Sequence, residues 1–100
     1  MTKLYTTFKT NSIKQKQNIK KVEILYDLQG FEYEINDIEY CKHFVIICGS
    51  CEFCLQKGTN IQTFYADTID TTIEVHAGIK VLLKKFTKDI KIAVEYFKEV

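Results

Sequence analysis

Residues 22–35 read VEILYDLQGFEYEI, and apolar and polar side chains alternate along them. Alternation with a period of two is typical of a β-strand that has one buried face. Gln29 and Gly30 suit a two-residue turn that would fold the segment into a hairpin. We therefore predict paired strands at about 22–28 and 31–38. The outer face of this hairpin would carry four acidic side chains: Glu23, Asp27, Glu32 and Glu34.

Three further strands are predicted along the next part of the chain, at about 39–48, 51–57 and 61–66. Gly49 and Ser50 suit a tight turn between the first two, because glycine readily adopts the positive φ that such turns require. Residues 57–60, KGTN, indicate another turn, and residues 4–8 a further strand. The pattern up to residue 66 therefore predicts an antiparallel meander.

The apolar pattern changes after Asp67. Apolar residues then recur at intervals of three and four, which is typical of an amphipathic helix. The recurring positions are Val75, Ile79, Leu82, Leu83, Phe86, Ile90, Ala93, Val94 and Phe97. Thr71, followed three residues later by Glu74, forms a capping box for the start of a helix. We predict one or two helices over about 71–98, although residues 90–96 also alternate well enough to form a strand.

Length and composition limit the chain to one domain. It has 100 residues, of which 46% are hydrophobic and 27% charged, and this balance is that of an ordinary globular protein. We take residues 1–21 as a basic N-terminal arm or edge strand, and residues 22–100 as a single domain. The expected fold class is α+β, with an antiparallel β-meander of four to six strands packed against one or two C-terminal helices.

The sequence offers no membrane or secretion signal. Its longest nearly apolar run, residues 44–55, is too short to cross a bilayer, and the polar N-terminus lacks the apolar stretch of a signal peptide. We expect a cytoplasmic protein, monomeric or a small homo-oligomer. All fourteen basic residues are lysine and proline is absent, a composition that indicates a low-GC gene such as those of phages and mobile elements.

Charge is distributed unevenly along the chain. Residues 1–21 contain six lysines and no acidic residue, whereas the remainder contains eight lysines and thirteen acidic residues. Such an arm either lies across its own acidic domain or contacts an anionic partner. If the arm is extended, several lysines share a face and could contact a nucleic-acid backbone. These candidate nucleic-acid-binding residues are Lys14, Lys16, Lys20 and Lys21.

Four cysteines lie within fourteen residues, namely Cys41, Cys48, Cys51 and Cys54. Thiolates, with His43 among them, are ligands that Zn²⁺ prefers. Strand alternation, however, directs Cys48 and Cys51 to one face and the other candidate ligands to the opposite face. Iron–sulfur ligation lacks the remaining residues of the ferredoxin pattern. Buried free thiols without a cofactor are the main interpretation, and a structural zinc site is the alternative.

Residues 44–51, FVIICGSC, resemble the start of a thioredoxin-like domain, in which a strand leads into a helix that begins with a C-x-x-C pair. The resemblance implies a dithiol oxidoreductase at Cys48 and Cys51, with one thiol activated by the helix N-terminus. The chain departs from that family because it has no proline to supply the cis-proline that faces the dithiol.

The sequence contains no recognised catalytic motif, such as a phosphate-binding glycine loop or a nucleophile elbow. The hairpin carboxylates also lack an evident apolar pocket that would shift a pKa. We therefore expect a non-catalytic protein-binding module, an inhibitor or accessory factor of a phage or mobile element, with the acidic hairpin face as its interface. The alternative is a nucleic-acid-binding accessory protein that uses the lysine arm. A small zinc-stabilised or dithiol redox domain is the third option.

Overall fold

The computed structural model describes residues 5–7, 19–69 and 72–98, which form nine β-strands in two antiparallel sheets. The strands are β1 (Tyr5–Thr7), β2 (Ile19–Tyr26), β3 (Glu32–Ile35), β4 (Cys41–Cys48), β5 (Ser50–Lys57), β6 (Asn60–Asp67), β7 (Ile73–Val75), β8 (Lys80–Lys84) and β9 (Lys91–Phe97). Sheet A has the strand order β1-β7-β4-β9-β2, and sheet B has the order β3-β8-β5-β6. The two sheets pack face to face around one apolar core.

The predicted α+β class is wrong, because the described residues contain no helix and the fold is all-β. The region predicted as helical forms β7, β8 and β9. Within it the residues of the central apolar cluster alternate, as Val81 and Leu83 do on β8 and Ile92 and Val94 do on β9. In residues 5–7, 19–69 and 72–98 there is no helix long and apolar enough to cross a membrane.

Turns explain why this region has a helix-like sequence pattern. The backbone reverses near Gly78, which has a φ of 87°, and near Lys85, which has a φ of 51°. Each turn shifts the alternation, so apolar residues on successive strands fall three or four positions apart although each strand has a period of two. The alternative reading of residues 90–96 as a strand is confirmed by β9.

The predicted hairpin between β2 and β3 is also wrong. β2 pairs with β9 in sheet A, and β3 pairs with β8 in sheet B. The buried face of β2 is moreover the opposite of the predicted one, since Leu25 is 4% exposed whereas Val22 is 57% and Tyr26 63% exposed. Alternation separates the two faces of a strand, but the strand's neighbours decide which face is covered. Here β2 is the edge strand of its sheet, with charged residues on its inner side.

Gly49 marks a crossing between the sheets, and the predicted pairing of β4 with β5 does not occur. β4 pairs with β7 and β9, whereas β5 pairs with β6 and β8. Gly49 has a φ of 78°. Next to it the backbone N–H of Thr87 donates to Ser50 O over 3.0 Å, and Ser50 N–H donates to Thr87 Oγ1 over 3.1 Å. The predicted turn at residues 57–60 is confirmed, because Lys57 and Asn60 close the β5–β6 hairpin.

The space between the sheets is filled by apolar side chains. Phe53, fully buried on β5, meets the ring of Phe44 edge-on and stacks on the ring of Phe64, with 5.2 Å between ring centroids in both cases. Burial of each such side chain stabilises the fold by about 1.5–3 kcal/mol. These rings occupy the centre of the sandwich, and a pocket opens at its margin beside β2.

Candidate functional site

A slot opens where the edge strand of sheet A, β2, approaches the edge strand of sheet B, β3. This β2–β3 slot is a cavity of about 420 Å³ lined by residues 23–29 and Tyr33. Its volume falls within the usual range of small-molecule sites, about 300–1,000 Å³. Leu25, Leu28 and the ring of Tyr33 form its apolar wall, and Glu23 contributes an acidic group.

Glu23 occupies the inner face of β2, where a tyrosine of the adjacent strand holds its carboxylate. The hydroxyl of Tyr96, on β9, donates a hydrogen bond to Glu23 Oε1 over 2.9 Å. Tyr96 is only 3% exposed. Burial raises the pKa of Tyr96, and the hydrogen bond to Glu23 and the negative charge of that residue raise it further. The tyrosine therefore remains protonated and acts as a permanent donor to the carboxylate.

The inward position of Glu23 distinguishes it from the other glutamates of β2–β9. Each of those glutamates is adjacent in sequence to a residue of its own strand that is buried or partly buried in the core, such as Ile35 on β3, Phe53 on β5 and Val94 on β9. Because successive side chains of a strand point to opposite faces, these glutamates face outward. The outward glutamates are Glu32, Glu34, Glu52, Glu74 and Glu95. A carboxylate that faces inward beside an apolar wall is the kind of group that performs proton transfer in enzymes.

Two inward lysines flank Tyr96 on the adjacent strands of sheet A. Lys21 on β2 and Lys42 on β4 both lie opposite Tyr96 in register. The Nζ atom of Lys21 is 4.7 Å from the centroid of the Tyr96 ring, and that of Lys42 is 5.8 Å from it. Both distances are within the range of cation–π attraction. Positive charge therefore borders Tyr96 on both sides, at the end of the sheet where β4 begins and β9 ends.

Lys42 is an unusual lysine because it is fully buried, at 0% exposure. Its ammonium group donates a hydrogen bond to Tyr40 O over 3.2 Å. Burial lowers the pKa of Lys42, and the nearby negative charges of Asp37 and Cys41 oppose that effect. A buried charge of this kind is costly unless it is paired, so a fully buried lysine is a candidate functional residue.

Two more lysines approach the ring of Tyr40 at the same end of sheet A. Lys20 Nζ lies 4.4 Å from the Tyr40 ring centroid, and Lys98 Nζ lies 5.8 Å from it. We use the name lysine end for the group formed by Lys20, Lys21, Lys42 and Lys98. The candidate site thus has two parts along β2, the β2–β3 slot and the lysine end, and the Glu23–Tyr96 hydrogen bond joins them.

The outer face of sheet A carries a separate buried polar group. His43 is 5% exposed, and its Nδ1 atom lies 2.7 Å from Glu95 Oε1. Glu74 lies opposite His43 on β7. The Nε2 atom of His43 is buried and has no hydrogen-bond partner among the described residues. This group faces away from the slot and is not part of the candidate site.

The structure does not bring the four cysteines together, and all four are free thiols. Cys41 lies on the outer face of β4 and Cys48 is exposed at its end, whereas Cys51 and Cys54 occupy opposite faces of β5. In the part of the chain that is described, no group of three or more His, Cys, Asp or Glu residues is placed to hold a metal ion.

The resemblance to thioredoxin-like domains does not extend to the fold. The chain continues from Cys48 into the strand β5, so no helix begins at Cys51. Burial raises the pKa of the Cys51 thiol to about 12, whereas a reactive dithiol needs a lowered pKa. Cys51 is therefore not an activated thiol.

The predicted acidic interface is divided between the two sheets. Glu23 faces inward on β2, and Asp27 lies in the exposed loop that follows it. Glu32 and Glu34 occupy the outer face of β3 in sheet B, where Glu34 lies 3.3 Å from Lys80. The four carboxylates therefore do not form one surface.

The predicted nucleic-acid-binding lysines fall partly outside the described residues, where Lys14 and Lys16 lie. Lys20 and Lys21 belong to β2 and contact tyrosine rings. Sequence reasoning did not select Tyr96 or Lys42. The alternation of residues 90–96 was the available signal for an inward Tyr96, but no local pattern places it between β2 and β4.

The fold of this chain can be compared with those of known proteins. Its sequence matches no protein-family model and no curated protein. Its structure, however, is similar to solved structures of sugar 3,4-ketoisomerases, which share this arrangement of two facing antiparallel sheets.

Three of these structures illustrate the similarity. WlaRA, a TDP-fucose-3,4-ketoisomerase from Campylobacter jejuni, superposes with a TM-score of 0.72 at 22% identity, over 96% of this chain and 83% of that one. WlaRB, the TDP-quinovose 3,4-ketoisomerase of Campylobacter jejuni, gives 0.74 at 18%, over 90% and 71%. A histidine-to-asparagine mutant of the 3,4-ketoisomerase QdtA from Thermoanaerobacterium thermosaccharolyticum, in complex with TDP-4-keto-6-deoxyglucose, gives 0.70 at 12%, over 82% and 61%.

At these identities the similarity establishes the fold alone. The three solved structures named above are nevertheless sugar 3,4-ketoisomerases, which are enzymes. This finding overturns the sequence-based prediction of a non-catalytic protein-binding module. It also overturns the nucleic-acid-binding and redox alternatives and the expectation that the chain is not an enzyme.

Proposed function

We propose that this protein is a ketoisomerase that moves a keto group between neighbouring carbons, C4 and C3, of a nucleotide-linked sugar. The observation that carries the proposal is the inward carboxylate of Glu23, held by Tyr96 at the wall of the β2–β3 slot. The shared fold of the sugar 3,4-ketoisomerases supports the same class of substrate. A cytoplasmic location, expected from the sequence, is part of the proposal.

The reaction requires one proton carrier that serves both carbons. Glu23 Oε1 accepts the Tyr96 hydrogen bond, so Oε2 is the oxygen available to a substrate in the slot. In the first step Oε2 takes the proton from C3, the electron pair forms the C3–C4 double bond, and the C4 carbonyl oxygen takes up a proton from solvent water. The product of this step is an enediol.

The second step reverses the first on the other carbon. The hydroxyl on C3 loses its proton to solvent water, the C3 carbonyl forms, and Glu23 returns its proton to C4. One C–H proton has then moved from C3 to C4 and one O–H proton from O3 to O4, with no net gain or loss of electrons. Because the isomerisation is redox-neutral, the proposal includes no redox cofactor.

Tyr96 acts in this scheme as a positioning residue. Its hydroxyl donates a hydrogen bond to one carboxylate oxygen of Glu23. This bond restricts rotation of the carboxylate and leaves the other oxygen available to a substrate in the slot. Its raised pKa keeps it protonated, so it does not compete with the substrate for the Glu23 proton. Leu25, Leu28 and Tyr33 provide the apolar part of the slot lining.

The test uses TDP-4-keto-6-deoxyglucose, the ligand of the QdtA structure. The purified full chain is incubated with it in D₂O, and NMR follows formation of the 3-keto sugar and loss of the C3 proton signal. Glu23→Gln should slow both by about 100-fold or more, because general acid–base groups contribute about 10²–10⁴-fold. Glu32→Gln, at an exposed outward position on β3, is the matched control and should retain activity.

Two results would contradict the proposal. One is a folded wild-type protein that neither converts the sugar nor exchanges its C3 proton. The other is a Glu23→Gln variant that keeps the rate of the wild type.

A further inference from the structure

The outer face of sheet A is an apolar surface that the fold leaves exposed. Along β2 its side chains are Val22, Ile24 and Tyr26, which are 57%, 44% and 63% exposed. Ile47, at the irregularity near the end of β4, is 46% exposed. Single exposed apolar residues are normal on a protein surface, whereas a contiguous apolar patch marks an interaction site.

The register of sheet A arranges this face in three rows that cross β2, β9 and β4. Named in that strand order, the first row is Val22, Glu95 and His43, the second is Ile24, Ala93 and Val45, and the third is Tyr26, Lys91 and Cys48. The middle row is wholly apolar. On the central strand β9, Glu95 and Lys91 therefore lie two residues to either side of Ala93, with opposite charges.

These two charges make the face complementary to a second copy of itself. Suppose that two copies pack face to face about a twofold axis that passes through Ala93 and runs across the strands. The third row of each copy then lies on the first row of the other, and each Lys91 lies opposite Glu95 of the partner subunit. Facing sheets are about 10 Å apart, a gap that a lysine and a glutamate side chain span together.

The same charges disfavour the alternative face-to-face arrangement with aligned strands. If the twofold axis ran along β9, each Lys91 would lie on Lys91 of the partner subunit, and each Glu95 on its own counterpart. Like charges that face each other across an interface are repulsive and exclude that register. Charge complementarity therefore selects the antiparallel arrangement, in which the interface is isologous.

We propose that two copies of this chain form a dimer through the outer faces of sheet A, with their β9 strands antiparallel across a twofold axis at Ala93. Burial of the exposed apolar side chains supplies the affinity. The two Lys91–Glu95 ion pairs fix the register. The small side chain of Ala93 allows the sheets to approach closely at the axis. This dimer does not depend on the proposed function.

Sedimentation equilibrium of the full chain tests the association. The wild type should show twice the 11.7 kDa mass of one chain. Ile24→Asp places an unpaired charge in the apolar middle row and should weaken the dimer by about tenfold or more. Ile61→Asp, at a 64% exposed position on β6 in sheet B, is the matched control and should leave the dimer intact.

Charge exchange tests the arrangement of the two copies. Lys91→Glu and Glu95→Lys should each weaken their own dimer, whereas Lys57→Glu, at an exposed position on β5, should not. When Lys91→Glu and Glu95→Lys are mixed, association should return, because every position 91 then meets an opposite charge at position 95 of the partner subunit. Circular dichroism checks that each variant is folded, since Glu95 contacts His43.

Four results would overturn the proposal. The first is a wild type that sediments as a monomer, and the second is a dimer that Ile61→Asp weakens as much as Ile24→Asp does. The third is a mixture of the two folded charge variants that does not associate. Should Glu95→Lys fail to fold, Lys91→Glu is compared with Lys57→Glu alone, and equally stable dimers are the fourth.

Discussion

Gly49, at the crossing from sheet A to sheet B, provides a test of the fold with a built-in control. Its φ of 78° is the left-handed conformation, which costs a residue with a β-carbon about 1–2 kcal/mol. A β-carbon at Gly49 would also overlap Thr87 Oγ1, and it would lie 2.8 Å from Asp89 Oδ1 and 3.1 Å from Ile90 Cα. Gly30 has a similar φ of 81° but nothing within 4 Å.

Gly30→Ala therefore measures the backbone cost alone, and Gly49→Ala adds the steric cost. Alanine also reduces the conformational entropy of the unfolded chain, which stabilises the folded state of both variants by about 0.4–1 kcal/mol. We expect Gly30→Ala to lower the free energy of unfolding by about 1 kcal/mol or less. Overpacking typically costs about 1–3 kcal/mol more, so Gly49→Ala should lose about 2–4 kcal/mol.

Urea unfolding, followed by far-UV circular dichroism, gives both values from the midpoint and slope of the transition. The loss at Gly49 is a large fraction of the about 5–15 kcal/mol that stabilises an ordinary domain. If Gly49→Ala proves as stable as Gly30→Ala, the loop of Thr87 does not pack on the crossing and the reasoning fails.

Three further predictions concern buried side chains. Phe53→Ala should lower the free energy of unfolding by about 3–5 kcal/mol in urea titrations, whereas Phe31→Ala, at a 97% exposed position, should change it little; equal losses would contradict the packing. Burial raises the pKa of Cys51 from 9.0 to about 12, so its contribution to stability is full below pH 9 and is lost as the pH rises towards 12. Cys51→Ala should flatten that alkaline decline, and an unchanged decline would count against it. Burial lowers the pKa of Lys42 in the folded state below its value in the unfolded chain. Between these two pKa values the unfolded state binds more protons than the folded state, so the free energy of unfolding should rise with pH in that range. Lys42→Met should raise the free energy of unfolding at neutral pH by about 1 kcal/mol and remove that rise, and a less stable variant would show that the amine is well paired.

Sequence reasoning identified many strands but not their partners. Alternation marked Phe44 and Phe53 as members of one buried face, and both are fully buried. The same reasoning joined β2 to β3 because they are adjacent in sequence, whereas β2 pairs with β9, about seventy residues away. Local sequence patterns indicate which residues share one face of a strand, whereas the pairing of distant strands depends on the packing of the whole chain.

The candidate site was inaccessible to sequence reasoning for the same reason. Lys21, Tyr96 and Lys42 come from three strands that are far apart along the chain, and only the register of sheet A places them in one row. Glu23 and Lys21 were noticed, but as members of an acidic surface and a basic arm. In the structure both lie on the inner side of an edge strand, where they contact Tyr96.

The packing of the interior bears on where the proposed reaction would occur. Phe44, Phe53 and Phe64 occupy the space between the sheets at the centre of the sandwich. In the proposed function the ligand lies along the margin where β2 faces β3, and along that margin the inward carboxylate is Glu23. The proposal thereby assigns proton transfer to one edge strand and to the hydrogen bond from its neighbour β9. A variant that alters the register between β2 and β9 should for this reason impair isomerisation, as Glu23→Gln should.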